Sequence, residues 1–97
     1  MISRKVNVCV IGGGISGLTT AYLLSNKGYS VTLLEKTSRF GGAIRSEIRN
    51  GFTMEEGPNT VLNGNDYVEK LLSELELFDK LITADPLAIS RYFIRDK

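Results

Sequence analysis

The chain has 97 residues, a length that accommodates one domain and leaves no room for a second. Apolar residues make up 42% and charged residues 24%, as in globular proteins, and the net charge of +1 gives no electrostatic reason to expect nucleic acid as a partner. The sequence contains no histidine, which removes the Ser-His-Asp triad and the usual zinc sets, and its single cysteine excludes an internal disulfide.

The first part of the chain predicts a βαβ unit. Lys5 to Ile11 is a β-branched run whose apolar continuity predicts a strand buried on both faces. Ile15 to Lys27 has apolar residues at helical spacing, and Gly28 stands where a left-handed helix stop is expected. Ser30 to Glu35 reads as a second strand, and a strand, helix and strand in this order place the two strands in a parallel sheet.

The segments after Glu35 predict a loop, a hairpin and a second helix. Thr37 to Gly42 is polar and irregular, Ile44 to Arg49 alternates as a half-buried strand, and Asn50-Gly51 is a strong hairpin signal before the return strand Phe52 to Glu55. The second helix is predicted over Asp66 to Leu75.

Two further features belong to this second half. Asp66 and Glu69 have the spacing of a capping pair at the start of the second helix. Ile89 to Ile94 has the composition of a strand.

The chemistry is concentrated in a glycine-rich loop between the first strand and the first helix. Its six residues have the spacing G-x-G-x-x-G: Gly12, Gly13, Gly14, Ile15, Ser16 and Gly17. The first glycine permits a tight turn, the second leaves room for a pyrophosphate, and the third allows close helix packing. The helix N-terminus offers unpaired N–H groups to the phosphates, and Glu35 ends the next strand, where a carboxylate binds the ribose hydroxyls. The pattern predicts a dinucleotide site and leaves NAD and FAD open.

The segment that follows Glu35 resembles the second motif of the FAD-dependent amine oxidase superfamily. In that superfamily an acidic strand end is followed by Arg-apolar-Gly-Gly, here Arg39-Phe40-Gly41-Gly42. The resemblance implies that Glu35 binds the adenosine ribose, that the glycine pair and its flanks lie near the pyrophosphate, and that Arg39 supplies positive charge there. Lys36 and Ala43 are also expected to bind the cofactor. Many members have a basic residue after the glycine pair, whereas this chain has Ala43.

A third segment narrows the resemblance to the protoporphyrinogen oxidases and their relatives that act on coproporphyrinogen III. These haem-pathway enzymes have a Glu-Glu-Gly-Pro-Asn segment that is similar to Met54-Glu55-Glu56-Gly57-Pro58-Asn59-Thr60. The segment before their substrate domain is similar to Ala84 to Tyr92. The resemblance implies that Gly57, Pro58, Asn59 and Thr60 run beside the flavin. Together with the two earlier motifs, it covers essentially the whole chain.

The resemblance implies an α/β, Rossmann-like FAD-binding βαβ unit with a parallel sheet, a β-hairpin and a second helix. We expect residues 1–97 to be the N-terminal part of a FAD-binding domain, without the substrate domain, that holds FAD while a porphyrinogen binds elsewhere in a longer protein. No residue of this chain is expected to be catalytic or to bind a metal. We expect a cytoplasmic protein, with no transmembrane segment here, whose full-length form associates peripherally with membranes.

Rival interpretations remain at this stage. An amine oxidase or carotenoid desaturase would share the first two motifs. An NAD-dependent dehydrogenase domain would need only the glycine loop and Glu35, and a non-catalytic module could keep a dinucleotide as a structural element.

A short parallel sheet without a far-side partner exposes unpaired backbone at its edges. We therefore predict that the isolated chain is marginally stable and self-associates by pairing or swapping strands between copies. Sedimentation and thermal melting test this expectation, which a monodisperse monomer with a cooperative transition would contradict.

Overall fold

The structure, a computed structural model, describes residues 6–62, 64–88, 90 and 94–95. It divides into two compact units, one ending at Thr60 and the other beginning at Val61. The described elements are, in chain order, β1 (Asn7–Ile11), α1 (Ile15–Asn26), β2 (Ser30–Leu34), β3 (Ser46–Arg49), β4 (Phe52–Glu55), α2 (Asp66–Glu74) and a short 3-10 helix, η1 (Phe78–Lys80). No helix in the described part of the chain is long and apolar enough to cross a membrane.

The predicted βαβ unit is confirmed. Strands β1 and β2 pair in parallel, with Asn7 opposite Ser30 and Ile11 opposite Leu34, and α1 packs on both strands. Helix α1 ends at Asn26 with Lys27 as its C-cap, and Gly28 follows with φ of +88°, the left-handed conformation expected of a helix stop.

The prediction that β1 is buried on both faces is wrong. Exposure alternates along the strand, and Val8 and Val10 are half-buried whereas Asn7, Cys9 and Ile11 are exposed. The cause is that α1 covers one face of the two-stranded sheet. The described residues supply no second helix layer on the other face, so a run that reads as continuously apolar is half solvated.

The predicted hairpin is also confirmed. Strands β3 and β4 pair antiparallel, and Asn50 and Gly51 both have positive φ, the conformation that a tight two-residue turn requires. The predicted burial pattern of β3 is wrong, however. Ile48 is 77% exposed and Glu47 is half-buried, because no layer covers the apolar side of this hairpin within the described ranges.

The second unit contains α2, whose predicted extent is confirmed to within one residue. Its cap differs from the prediction, because Asn65, and not Asp66, is the N-cap and its side chain accepts a hydrogen bond from Tyr67 N at 2.9 Å. Asp66 and Glu69 lie in the first turn, where negative charge suits the helix dipole. The 3-10 helix was not predicted. The predicted strand at Ile89 to Ile94 lies largely outside the described residues.

Candidate functional site

Gly13 lies at the centre of the site and is the one buried residue in the described part of the chain. Its N–H donates to Glu35 Oε2 at 2.6 Å, and its carbonyl oxygen accepts from Gly41 N at 2.7 Å. A Cβ on Gly13 would lie 2.5 Å from Phe40 Cδ1 and 2.9 Å from Glu35 Oε2, so the position has no room for a side chain. One residue thus connects the first glycine loop to the end of β2 and to the glycine pair.

Gly12 and Gly17 have the backbone conformation and the close contact that the motif predicts for them. Gly12 has φ of +102°, which turns the chain sharply out of β1. A Cβ on Gly17 would lie 1.8 Å from the Gly12 carbonyl oxygen, so the close approach of α1 to the loop requires glycine at position 17. A Cβ on Gly14 would meet only Gly42 Cα, at 3.9 Å. The fold itself therefore tolerates a side chain at Gly14.

The loop and the glycine pair form the walls of an open groove of about 400 Å³. Gly14 and Gly41 form an isolated parallel β-bridge, which holds the two segments side by side. Eight predicted site residues line the groove: Gly12, Gly14, Ile15, Ser16, Gly17, Gly41, Ala43 and Pro58. Ile11 and Ile44 line it as well and were not predicted, although Ile11 is the last residue of β1 and directly precedes the glycine loop.

The groove is open to an anion at the N-terminus of α1. This helix has no side-chain cap and no acidic residue in its first turn among the described residues. Helix α2 of the same chain has both, in Asn65 and in the pair Asp66 and Glu69. The first N–H groups of α1 therefore keep the capacity to bind a negatively charged ligand.

A second groove of about 600 Å³ lies at the end of β2. Four further predicted site residues line it, Glu35, Lys36, Arg39 and Gly42, together with Thr37, Ser38 and Arg45, which were not predicted. Three of its side chains are cationic and one is anionic. Sequence reasoning missed Thr37, although a threonine two residues after an acidic strand end is well placed to donate to the carboxylate.

The Glu35 carboxylate accepts hydrogen bonds at both of its oxygens. Besides Gly13 N, it accepts from Thr37 N and from Thr37 Oγ1, both at 2.9 Å and both at Oε1. The pKa of Glu35 is lowered from its ordinary value by the backbone N–H of Thr37, then by the N–H of Gly13 and the hydroxyl of Thr37, with the charge of Lys36 adding to them. The carboxylate is thus held ionised.

Arg39 organises its own loop. Its Nη2 donates to the Gly42 carbonyl at 2.6 Å, and its Nη1 donates to the carbonyls of Phe40 and Ile44, both at 3.2 Å. The planar guanidinium fork suits several acceptors held in one curved segment. Its charge lies beside the glycine pair, as the sequence predicted, but its donors are directed to backbone carbonyls.

The hairpin brings Gly57 and Pro58 back to the site. Glu56 N donates to the Arg45 carbonyl at 2.8 Å, and the Arg45 and Glu56 side chains form an ion pair at 3.2 Å. A Cβ on Gly57 would lie 1.8 Å from the Ala43 carbonyl oxygen. Gly57 is therefore required for close packing on the chain itself. Pro58 reaches the first groove, whereas Asn59 and Thr60 lie outside the linings of both grooves.

Comparison with known proteins identifies the family. Residues 10–75 match the family described as "NAD(P)-binding Rossmann-like domain". The chain belongs to this NAD(P)-binding Rossmann-like domain family. Its glycine loop, helix N-terminus and acidic residue after β2 are the features with which Rossmann domains bind a dinucleotide.

Longer proteins contain segments similar to this Rossmann-like domain. Protoporphyrinogen oxidase 2, chloroplastic/mitochondrial, of Arabidopsis thaliana is 42% identical over 73 residues, which cover 75% of this chain and 14% of the relative. Coproporphyrinogen III oxidase of Propionibacterium freudenreichii subsp. freudenreichii is 36% identical over 76 residues, which cover 78% and 14%. A structure of putrescine oxidase bound to putrescine superposes with a TM-score of 0.65 at 32% identity, covering 75% of this chain and 16% of that one.

We predict that Arg39→Lys loosens the loop of this Rossmann-like domain. A lysine keeps the charge but cannot reach three carbonyls at once, so we expect a loss of about 1 kcal/mol in the free energy of unfolding. Urea unfolding and hydrogen exchange at the N–H groups of Gly41 and Ile44 measure it. The control is Arg49→Lys in the hairpin, expected to change stability by less than about 0.5 kcal/mol. Unchanged exchange protection in Arg39→Lys would contradict the organising role.

We also predict that Glu35 contributes to the stability of the fold at neutral pH and that this contribution is lost in acid. Because its pKa is lower in the folded chain than in the unfolded chain, the ionised carboxylate stabilises the fold above the ordinary carboxyl range. That stabilisation is lost as the pH falls through the lowered pKa. The difference in urea midpoint between wild type and Glu35→Gln should be largest at about pH 7 and should shrink towards about pH 3. A difference that does not change with pH would contradict the prediction.

Proposed function

We propose that this chain is the FAD-binding portion of an oxygen-dependent oxidase that acts on protoporphyrinogen or coproporphyrinogen III. The observation that carries the proposal is the bridge between Gly14 and Gly41, which places the Arg39-Phe40-Gly41-Gly42 loop against the G-x-G-x-x-G loop. A Rossmann domain that binds NAD needs only the G-x-G-x-x-G loop. The similarity to the two porphyrinogen oxidases supports the substrate class.

The residues of the first groove suit the pyrophosphate of FAD. Gly14 leaves space that a Cβ would fill, and the N–H groups at the start of α1 have no side-chain cap among the described residues. The Gly41 and Gly42 backbone adds a second segment without side chains at the same place. These residues bind and orient the phosphates, and the side chains of Ile11, Ile44 and Pro58 add an apolar part to the lining of the groove.

The residues of the second groove suit the adenosine end. Glu35 would accept a hydrogen bond from a ribose hydroxyl, and its negative charge disfavours a 2′-phosphate. Lys36 and Arg39 line the same groove and balance that charge. We assign Gly57, Asn59 and Thr60 to the flavin side on the resemblance of their segment, with Gly57 acting through its packing on Ala43.

The chain spans 14% of the length of each of the two porphyrinogen oxidases that it matches. The activity therefore belongs to a longer protein in which the porphyrinogen binds outside this segment. When bound, FAD supplies the redox chemistry, accepting hydrogens from the porphyrinogen and being reoxidised by O2 to give H2O2. This chain's own residues position the cofactor, and we assign none of them to proton transfer.

The test is a titration of the purified chain with FAD, followed by flavin fluorescence, with excess NAD as competitor. We expect saturable quenching that NAD does not reverse. Gly14→Ala should remain folded, losing at most about 1 kcal/mol because Gly14 is the N-cap of α1, and bind FAD at least about tenfold more weakly, because its Cβ meets the ligand. The control is Gly28→Ala, which replaces a residue with φ of +88° and should lose about 1 kcal/mol of stability while keeping its affinity.

Each alternative has its own signature in this titration. Quenching that NAD reverses would favour the dehydrogenase interpretation. Equal FAD affinity in wild type and Gly14→Ala would remove the groove from the site. A folded chain that binds neither cofactor would contradict the proposal for this molecule.

A further inference from the structure

Thr37 lines the second groove and lies between Glu35 and Arg39 in the chain, and neither the glycine motif nor the acidic motif includes it. Its N–H and its hydroxyl both meet the same oxygen, Glu35 Oε1, at 2.9 Å. Its Oγ1 also lies 2.9 Å from the Arg39 carbonyl oxygen, so its one proton is directed either to Oε1 or to that carbonyl, and Oγ1 accepts from Arg39 N at 3.4 Å. Thr37 therefore contacts the carboxylate on one side and the start of the glycine-pair loop on the other.

The two contacts at Oε1 determine how the Glu35 carboxylate is oriented. An ionised carboxylate has about four acceptor positions, two on each oxygen. Thr37 N takes one position at Oε1, the Thr37 hydroxyl takes the other when its proton is directed there, and Gly13 N takes one at Oε2. Both carboxylate oxygens are thereby held by donors of the protein, and the acceptor position that remains is on Oε2.

We propose that Thr37 is a positioning residue that holds the Glu35 carboxylate in one orientation, so that a single acceptor position is presented to a ribose hydroxyl. The last part rests on the proposed function, whereas the hold of Thr37 on Glu35 is a property of the chain without ligand. A carboxylate fixed before binding loses less conformational entropy when the ligand arrives. Thr37 thus acts through Glu35 and touches the ligand only indirectly.

Other charged groups near Glu35 are the cations that line the same groove, Lys36, Arg39 and Arg45. Lys36 favours the ionised carboxylate, but it contributes less than the hydrogen bonds do. A substitution that removes the Thr37 hydroxyl leaves all three cations in the chain, but it also removes the contacts of that hydroxyl with the Arg39 backbone. The variant that retains the hydroxyl therefore serves as the reference for both effects.

The experiment compares Thr37→Val, which removes the hydroxyl at nearly constant volume, with Thr37→Ser, which retains it. The control is Thr53→Val on the exposed strand β4. The carboxyl carbon of Glu35 is titrated by NMR in the chain without nucleotide, with Glu35→Gln used to assign the resonance. We expect the titration midpoint to move to higher pH in Thr37→Val and to stay in place in Thr37→Ser and Thr53→Val.

FAD binding by the same variants completes the test. Thr37→Val should bind about three- to tenfold more weakly at neutral pH, with the acid limb of binding moved to higher pH. An unchanged midpoint in a folded Thr37→Val would overturn the hold on Glu35. A moved midpoint with unchanged FAD affinity would overturn the positioning role. If wild type binds no FAD, the proposed function fails separately, and the midpoint still decides whether Thr37 holds Glu35.

Discussion

The site depends on the burial of Gly13 against Glu35 and the Phe40-Gly41 segment, both of which lie at least 22 residues further along the chain. A backbone N–H without a partner is costly when water cannot reach it, and here the Glu35 carboxylate satisfies it at 2.6 Å. The carbonyl on the other side of the residue accepts from the glycine pair. Any side chain at this position would displace Phe40 and Glu35, so the loop, the strand end and the second motif retain their arrangement only with glycine there.

This arrangement explains how a site can be well ordered in a chain with little core. The described residues include no buried apolar side chain, and one face of the parallel sheet is exposed. The order of the site instead comes from local hydrogen bonds to the backbone. Glu35 accepts from Gly13 and Thr37, and Arg39 donates to the carbonyls of its own loop. Groups of this kind fix backbone geometry without requiring a second layer of packing.

Sequence reasoning predicted what depends on local conformation. The spacing of Gly12, Gly14 and Gly17 predicted a turn, a gap and a close helix contact, and each of these is set by the absence of a Cβ. Burial was predicted poorly, since the apolar pattern of β1 and of Ile48 shows which faces suit a core but not whether a layer covers them.

The sequence pattern also failed to predict the roles of several side chains. The N-cap residue is Asn65, whereas the sequence pattern predicted Asp66. A shift of one residue in the start of the helix changes which side chain can accept from the free N–H groups of the first turn. The sequence indicated only that Arg39 is charged and that Thr37 belongs to a polar loop. Their actual partners are backbone and carboxylate atoms brought near by the fold of the loop, which a linear pattern does not specify.

The most direct test of a FAD site formed by the two glycine segments is the amide NMR spectrum of the chain during titration with FAD. We expect shifts concentrated at Gly12 to Gly17 and at Gly41 to Ala43, with the Gly13 and Thr37 N–H groups retaining their hydrogen bonds to Glu35. Shifts confined to the hairpin tip or to α2, or a folded chain whose glycine-loop amides do not respond to FAD, would contradict this expectation.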